Sequence, residues 1–597
     1  MIVRTVWRLL DRRQKRQLLA LQLLSLLMAV TTVTGIAAIL PFFAVLADPA
    51  AVHRNRMLRL LFRSFGLDGG GAHFLAALGA IFIALVILAN AINLGGSLLL
   101  NRFALKVGES FNRALFAEYL ARGYEFHLGI HSATLSARVL DESRRVTMGI
   151  LQSGLTLAAN LSTIVLIFGA MIAVNPMIAT LALLVLGSSY GAIYAVASGK
   201  LLRNGREETR HHAERARIVG ESLGAIKEIL LLRAQPAFAR RFADACSSIS
   251  RTILSTLFIA QTPRHVLEIT TVCALVGSAL LLAGRGGSNT PWIAALSFMG
   301  FAIYRLLPVL QQAFVALVRV RADRPALEGI AEDIRQARAR ERAARIEAVD
   351  QIWRVRPLRE IRLNDVSFRY AADSPLVFSG LSLCVPAGAM VGVVGANGSG
   401  KTTLLDILSG LLLPQSGTLT VDGALIDASN RHAWQSAIAY VPQQVSLLDA
   451  TLSENIALGA AATPRDGQRL QNALQVARLV ECDRALADRG CGRIGERGAR
   501  LSGGQRQRVG LARAFYRGGG VLILDEATSQ LDATAEESVV DALQTMRAGR
   551  TIILTGHRLT SLRHCDVILE LQRGRLVRSC TYGELHASRR EVLASHG

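Results

Sequence analysis

The chain has 597 residues, 51% of them hydrophobic, and 67 Lys and Arg against 45 Asp and Glu give a formal net charge of +22. That length is too great for one hydrophobic core, so at least two domains are expected. A mean hydropathy of +0.34 fits a membrane half averaged with a soluble half. The basic residues gather beside apolar runs, as Arg4, Arg8, Arg12, Arg13, Lys15 and Arg16 do before the first of them. This is the bias that marks the cytoplasmic side of a membrane, and it argues against a nucleic-acid partner. Seven cysteines without paired spacing exclude a zinc or redox motif and suit a reduced cytosol.

A membrane span needs about 20 apolar residues. Six stretches qualify, at about 18–46, 75–103, 147–174, 177–198, 253–284 and 291–320. The first follows a basic start and is too long for a cleaved signal, so it reads as an uncleaved span. Segments 104–146 and 199–252 are long, polar and Arg-rich, which places them in the cytoplasm with both chain ends. Helical extensions of the spans are expected there. Their turns, near Tyr124–Ser132 and Leu230–Ala237, are suited to touch a soluble domain.

The segment 47–73 then faces outward. Within it, 53–65 puts Leu58, Leu61, Phe62 and Phe65 on one helical face, with Arg54, Arg56, Arg59 and Arg63 largely elsewhere. A basic amphipathic helix on the membrane surface has this pattern; a solvated loop helix packed on its neighbours is the alternative. Residues 322–358 read as a charged helical linker, leaving a membrane domain at 1–321 and a nucleotide domain at 359–597.

In the soluble half, Met390–Val394 reads as a buried strand and Thr402–Leu408 as the start of a helix. Between them, Gly395, Gly398 and Gly400 let backbone N–H groups wrap phosphate oxygens at a helix N-terminus. Asn397, Ser399 and Thr403 belong to the same loop. Lys401 is placed to reach the β- and γ-phosphates and the Thr402 hydroxyl to hold Mg²⁺, so ATP and Mg²⁺ are the expected cofactors. Val521–Leu524 is a second apolar strand, ending in two acids. Asp525 is placed to bind Mg²⁺ and Glu526 to polarise the attacking water, because two acids ending a buried strand are costly there without a cation.

With these and the remaining motifs, residues about 360–590 resemble the ATP-binding domain of ABC transporters. Leu501–Gln505 (Leu-Ser-Gly-Gly-Gln) matches the family's signature sequence, and Gly495–Gly498 looks like the short element that exporters place before it. Tyr370 sits where the family stacks an aromatic on adenine. Gln443 matches the glutamine loop that senses Mg²⁺ and the membrane domain, Ser529–Asp532 the D-loop, and His557 the switch histidine. Gly556 and Gln530 stand where the family commonly has alanine, which removes no reacting group. Ser502, Gly503, Gly504 and Gln505 offer a hydroxyl and N–H groups to a γ-phosphate, but lie too far along the domain to reach their own Lys401. The site is therefore expected in trans, in a homodimer with two competent sites.

Six spans followed by one ATP domain resemble an ABC exporter half-transporter. The implied fold is a membrane α-helical domain of the type I (type IV) exporter class plus a cytosolic α/β P-loop ATPase domain. The membrane half further resembles the lipid-linked oligosaccharide flippases of bacterial protein glycosylation, the PglK type. Ile39–Phe43, the 53–65 segment, Pro263-Arg264 through Glu268 and Tyr304–Pro308 carry that likeness. It implies a polyprenyl-diphosphate-linked glycan as substrate, carried across the bacterial inner membrane with the ATP domain in the cytoplasm. Arg264 and Arg305 lie inside apolar spans, where a charge usually faces a cavity, and guanidinium groups suit a pyrophosphate. Arg264 snorkelling to the interface, or Arg305 paired with Glu268, is the structural alternative. The family's second-span arginine is missing, since Leu88-Ala-Asn90 stands there. An exporter of another lipid, a drug or a small peptide is the competing reading.

Overall fold

The computed structural model describes residues 2–38, 71–174, 176–283, 290–346, 357–459, 464–488, 492–527, parts of 536–556, and 562–588. The 53–65 segment, Ser529–Asp532 and His557 lie outside the described residues. The chain divides into two compact units: 1–122 with 130–346, and 123–129 with 347–597.

Among the described residues the first unit is built of helices. Gly71–Ala121, Pro176–Gly224 and Gln235–Ala283 run 51, 49 and 49 residues. At about 1.5 Å per residue, each is more than twice as long as a bilayer crossing requires. Arg12–Gly35, Leu75–Ala121 and Ser132–Ala173 are long and apolar enough to cross a membrane. The other three expected spans fall on Pro176–Gly224, Gln235–Ala283 and Thr290–Ala322, and the polar halves of the two longest continue as the expected extensions. Pro263 and Pro308 sit inside their helices, where each removes a backbone hydrogen bond and invites a kink.

Polar anchors organise the end of this unit that carries the extensions. Arg145 is 6% exposed; its Nε lies 2.8 Å from Asp323 and 3.3 Å from Glu208, and its Nη1 donates to Thr209 at 2.8 Å. Asp333 accepts from Tyr119 at 2.8 Å and from Arg122 at 2.7 Å. Around Arg145 the chain winds as π-helix over Arg138–Glu142 and Val146–Gln152, a local widening that often marks functional sites.

The second unit holds two sheets. The four-stranded antiparallel sheet runs in the order β2 (Phe378–Pro386), β1 (Glu360–Phe368), β4 (Ser416–Val421), β5 (Ala424–Leu425). The six-stranded sheet runs β10 (Arg575–Cys580), β9 (Val567–Gln572), β3 (Met390–Gly395), β8 (Thr551–Thr555), β7 (Val521–Leu524), β6 (Ile438–Val441). Strands β3, β6, β7 and β8 are joined in parallel, and β7 and β8 are buried at every residue. Unbroken apolar runs of this kind are what a strand covered on both faces requires. A helical part with its own core, including Leu474, Leu479, Ile494, Leu501 and Val509, stands apart from the cluster containing Val391, Leu404 and Ile523.

The helix Tyr124–Gly129, which comes from the middle of the helical half, packs in this second unit. Its Glu125 accepts a hydrogen bond from the Leu413 N–H at 3.2 Å and faces Arg431 at 3.9 Å. The other expected turn, near Leu230–Ala237, follows the helix Ile226–Leu231 and leaves Leu230, Leu231 and Leu232 exposed at 54%, 84% and 78%.

Candidate nucleotide site

Strand β3 delivers its chain end into the loop Gly395–Gly400, and the helix Lys401–Leu408 leaves it. Gly400 caps that helix at φ +101°, and a Cβ there would stand 2.8 Å from the Phe378 ring. Only glycine fits both the conformation and the space. No side chain caps this helix start, so its first N–H groups remain available to an anion.

Lys401 is buried, and its Nζ donates to the carbonyls of Gly395 at 2.9 Å and Ala396 at 3.2 Å. Asn397 and Gly398 are exposed at the loop tip and Thr402 is exposed at the helix start. The Ser399 Oγ is buried and has no hydrogen-bond partner among the described residues. Tyr370 is 49% exposed, its hydroxyl 2.8 Å from Thr403 Oγ1 and its ring edge-on to Phe368. A half-exposed aromatic tied to the phosphate-loop helix can offer a face to a base.

The two acids end β7 as the sequence predicts. Asp525 is 4% exposed, with Thr555 Oγ1 at 2.9 Å from its Oδ1 and the Tyr440 hydroxyl at 3.4 Å from its Oδ2. Glu526 takes φ +48°, a conformation costly for a residue with a side chain and concentrated at functional sites. Its carboxylate accepts from Gln443 Nε2 at 2.7 Å. Asp406, on the phosphate-loop helix, is raised to about 6 by burial and then by the charge of Asp525. Crowded carboxylates beside a buried hydroxyl without a partner fit a site built for a cation and phosphate oxygens.

Thus the 395–403 loop, Gln443, Asp525 and Glu526 follow the ends of parallel strands of the six-stranded sheet, and Tyr370, just beyond β1 of the other sheet, joins them through Thr403. Ser502–Gln505 do not join them. They open the helix Gly503–Arg517, whose Leu501 and Val509 belong to the separate helical core. Ser502 Oγ accepts from the Gln505 N–H at 3.2 Å, and Gln505 Oε1 accepts from the Ser502 N–H at 2.8 Å. This reciprocal pair is a capping box.

Sequence reasoning passed over Thr555, Tyr440 and Asp406. The signal for Thr555 is a lone hydroxyl closing the apolar strand Ile552-Ile553-Leu554, two residues before His557. In the membrane half, Arg264 is exposed beside Pro263 and Arg305 is half-buried three residues before Pro308. Among the described residues neither arginine forms an ion pair, and the Arg305–Glu268 pair does not occur.

Residues 18–301 match the family described as the ABC transporter transmembrane region, and residues 378–529 match the ABC transporter family. The chain is an ABC transporter of the exporter fold. An ATP-dependent lipid A-core flippase of Ralstonia nicotianae is 41% identical over 228 residues, 38% of each chain. This chain thus spans well under half of that relative. The flippase of the same description from Polaromonas sp. is 29% identical over 485 residues, 79% of each. A bacterial Atm1-family ABC exporter with ATP bound shares the fold at a TM-score of 0.78 and 21% identity, covering 98% of this chain and 99% of that one. The second unit of this exporter is accordingly an ABC ATPase domain.

Proposed function

We propose that two copies of the chain form an ATP-hydrolysing exporter of the bacterial inner membrane that flips a polyprenyl-diphosphate-linked oligosaccharide. The observation that carries the substrate is the pair Arg264 and Arg305, two guanidinium groups in proline-containing membrane helices that have no carboxylate partner among the described residues. Charges in such segments persist where a cavity and a ligand repay them, and a diphosphate offers the bidentate oxygens that guanidinium geometry fits. The names of the bacterial relatives, which are lipid flippases, support a lipid cargo.

In this reading Gly395, Asn397, Gly398, Ser399, Gly400, Lys401 and Thr403 hold the phosphates, and Tyr370 stacks on adenine. Thr402, Gln443 and Asp525 hold Mg²⁺, which neutralises phosphate charge. Glu526 polarises the attacking water, and His557 orients it. Ser502, Gly503, Gly504 and Gln505 of the second copy close the site. Their placement on a separate core, and the leucines exposed at 230–232, support a homodimer.

The test is reconstitution of the full chain in liposomes containing a polyprenyl-diphosphate sugar, lipid A or a neutral glycolipid. The polyprenyl-diphosphate sugar is expected to stimulate ATP hydrolysis and to cross the bilayer. Arg264→Gln with Arg305→Gln should reduce that stimulation about tenfold, since a hydrogen bond to a charged group contributes about 1.5 kcal/mol or more. The relatives' names favour a second reading, a lipid of the lipid A-core type, and stimulation by lipid A alone would replace the first with it.

A further inference from the structure

We infer that Thr555 is a positioning residue for hydrolysis, its hydroxyl fixing Asp525 and Glu526 relative to one another. The inference rests on the ATPase reading above and concerns a residue outside the expected motif set.

Thr555 ends β8, one strand over from the acids, with Leu524 paired to Leu554 in parallel register. That register brings its side chain to the point where the chain leaves β7. The Thr555 Oγ1 lies 2.8 Å from the Glu526 N–H and 2.9 Å from Asp525 Oδ1. One hydroxyl can accept the first bond and donate the second at once. Thr555 is 3% exposed, so water is a poor substitute for it.

The two bonds act on different things. The bond to Asp525 Oδ1 orients a carboxylate whose other oxygen faces Tyr440, so the hydroxyl helps fix the group that would hold Mg²⁺. The bond from the Glu526 N–H holds a peptide whose residue sits at φ +48°. A backbone in that region reverts unless its surroundings over-determine it. Its carboxylate is meanwhile held toward Gln443 at 2.7 Å. Thr555 thus sets the backbone from which the water-polarising carboxylate projects, and Gln443 sets its far end. Valine has nearly the shape of threonine but can make neither bond, so Thr555→Val removes the hydroxyl while keeping the packing.

The test compares the full-length exporter with its Thr555→Val and Thr555→Ser variants by two readouts. The first is the affinity for Mn²⁺, followed by electron paramagnetic resonance with a non-hydrolysable ATP analogue bound, which needs no turnover. The second is ATP hydrolysis, resolved into kcat and KM. Outer-shell partners of metal ligands change affinity or activity about 10–100-fold. Thr555→Val is expected to weaken Mn²⁺ binding about tenfold and to lower kcat at least as much, with KM within about twofold. Thr555→Ser should restore both. Val matching the unaltered chain in Mn²⁺ affinity overturns the inference. So does Ser failing as badly as Val, with both unfolding at lower temperature, because methyl packing then decides. An unaltered chain that binds Mn²⁺ and the analogue but hydrolyses nothing would sink the ATPase reading instead, while the Mn²⁺ comparison still decides the role of Thr555.

Discussion

Two glycine-containing turns open helices in the ATPase domain, and they are finished in opposite ways. At Gly400 the helix starts with a left-handed glycine and no side-chain cap. Its lysine is parked on two loop carbonyls, and Ser399 beside it has a buried hydroxyl without a partner. At Ser502 the helix starts with a complete capping box. Among the described residues the first turn leaves its helix start unsatisfied, which is what the proposed phosphate would complete. The second is complete in a single copy, and in the proposed dimer its hydroxyl is the group offered to the other copy's phosphate. A glycine-rich sequence thus does not by itself distinguish a receptor from a lid; the satisfaction of the helix start does.

The largest effect expected is at the receptor side. Glu526→Gln should lower phosphate release by about 10² to 10⁴, the usual worth of a positioned general base, with ATP binding retained in a fluorescent-nucleotide assay. Undiminished phosphate release by this variant would show that Glu526 does not polarise the attacking water.

A mixing experiment sharpens the comparison. Lys401→Ala and Ser502→Ala copies should each be nearly inactive alone, the second also losing about 1 kcal/mol of helix capping. In a mixed dimer one composite site carries both changes and the other is unaltered. Equal mixing should therefore recover roughly a quarter of the starting hydrolysis rate, given random pairing of copies. No recovery above the separate variants would show that the two turns do not meet across copies.

The smallest effect lies in the helical unit. Burial raises Asp323 to about 6 from an ordinary 3.8, against the pull of Arg145. The folded chain then takes this proton more readily than the unfolded one. The contribution of Asp323 is thus complete below about pH 4 and is lost as pH rises to about 6. Thermal unfolding in detergent between those limits should fall with pH in the unaltered chain and flatten in Asp323→Asn.

What was legible in the sequence follows the reach of the interactions. The loop at 395–400 and the strand at 521–524 are local patterns, where strand period and glycine placement lie within a few residues. They came out within a residue of their observed bounds. Tyr440 and Thr555 were not legible because their meaning comes from parallel register across β6, β7 and β8. The π-helical turns at 138–152 were missed for a related reason. Their setting is Asp323 and Glu208, whose pairing with Arg145 no local period announces. Arg264 and Arg305 were legible only as charges out of place; that they lack ion pairs among the described residues needed the fold.

The helix Tyr124–Gly129 has a consequence for how the molecule is made. It belongs to the unit whose other residues are 347–597, so it leaves the ribosome more than two hundred residues ahead of them. At about 5–20 residues per second, that is a wait of tens of seconds in which Glu125 has neither the Leu413 N–H nor Arg431. An ATPase domain produced alone from residue 357 onward would never receive that piece. The Leu413 N–H and the Arg431 guanidinium would be left facing solvent. Supplying residues 120–132 as a separate peptide should raise the unfolding temperature of such a fragment, a measure of how far the two halves of the gene encode one folding unit.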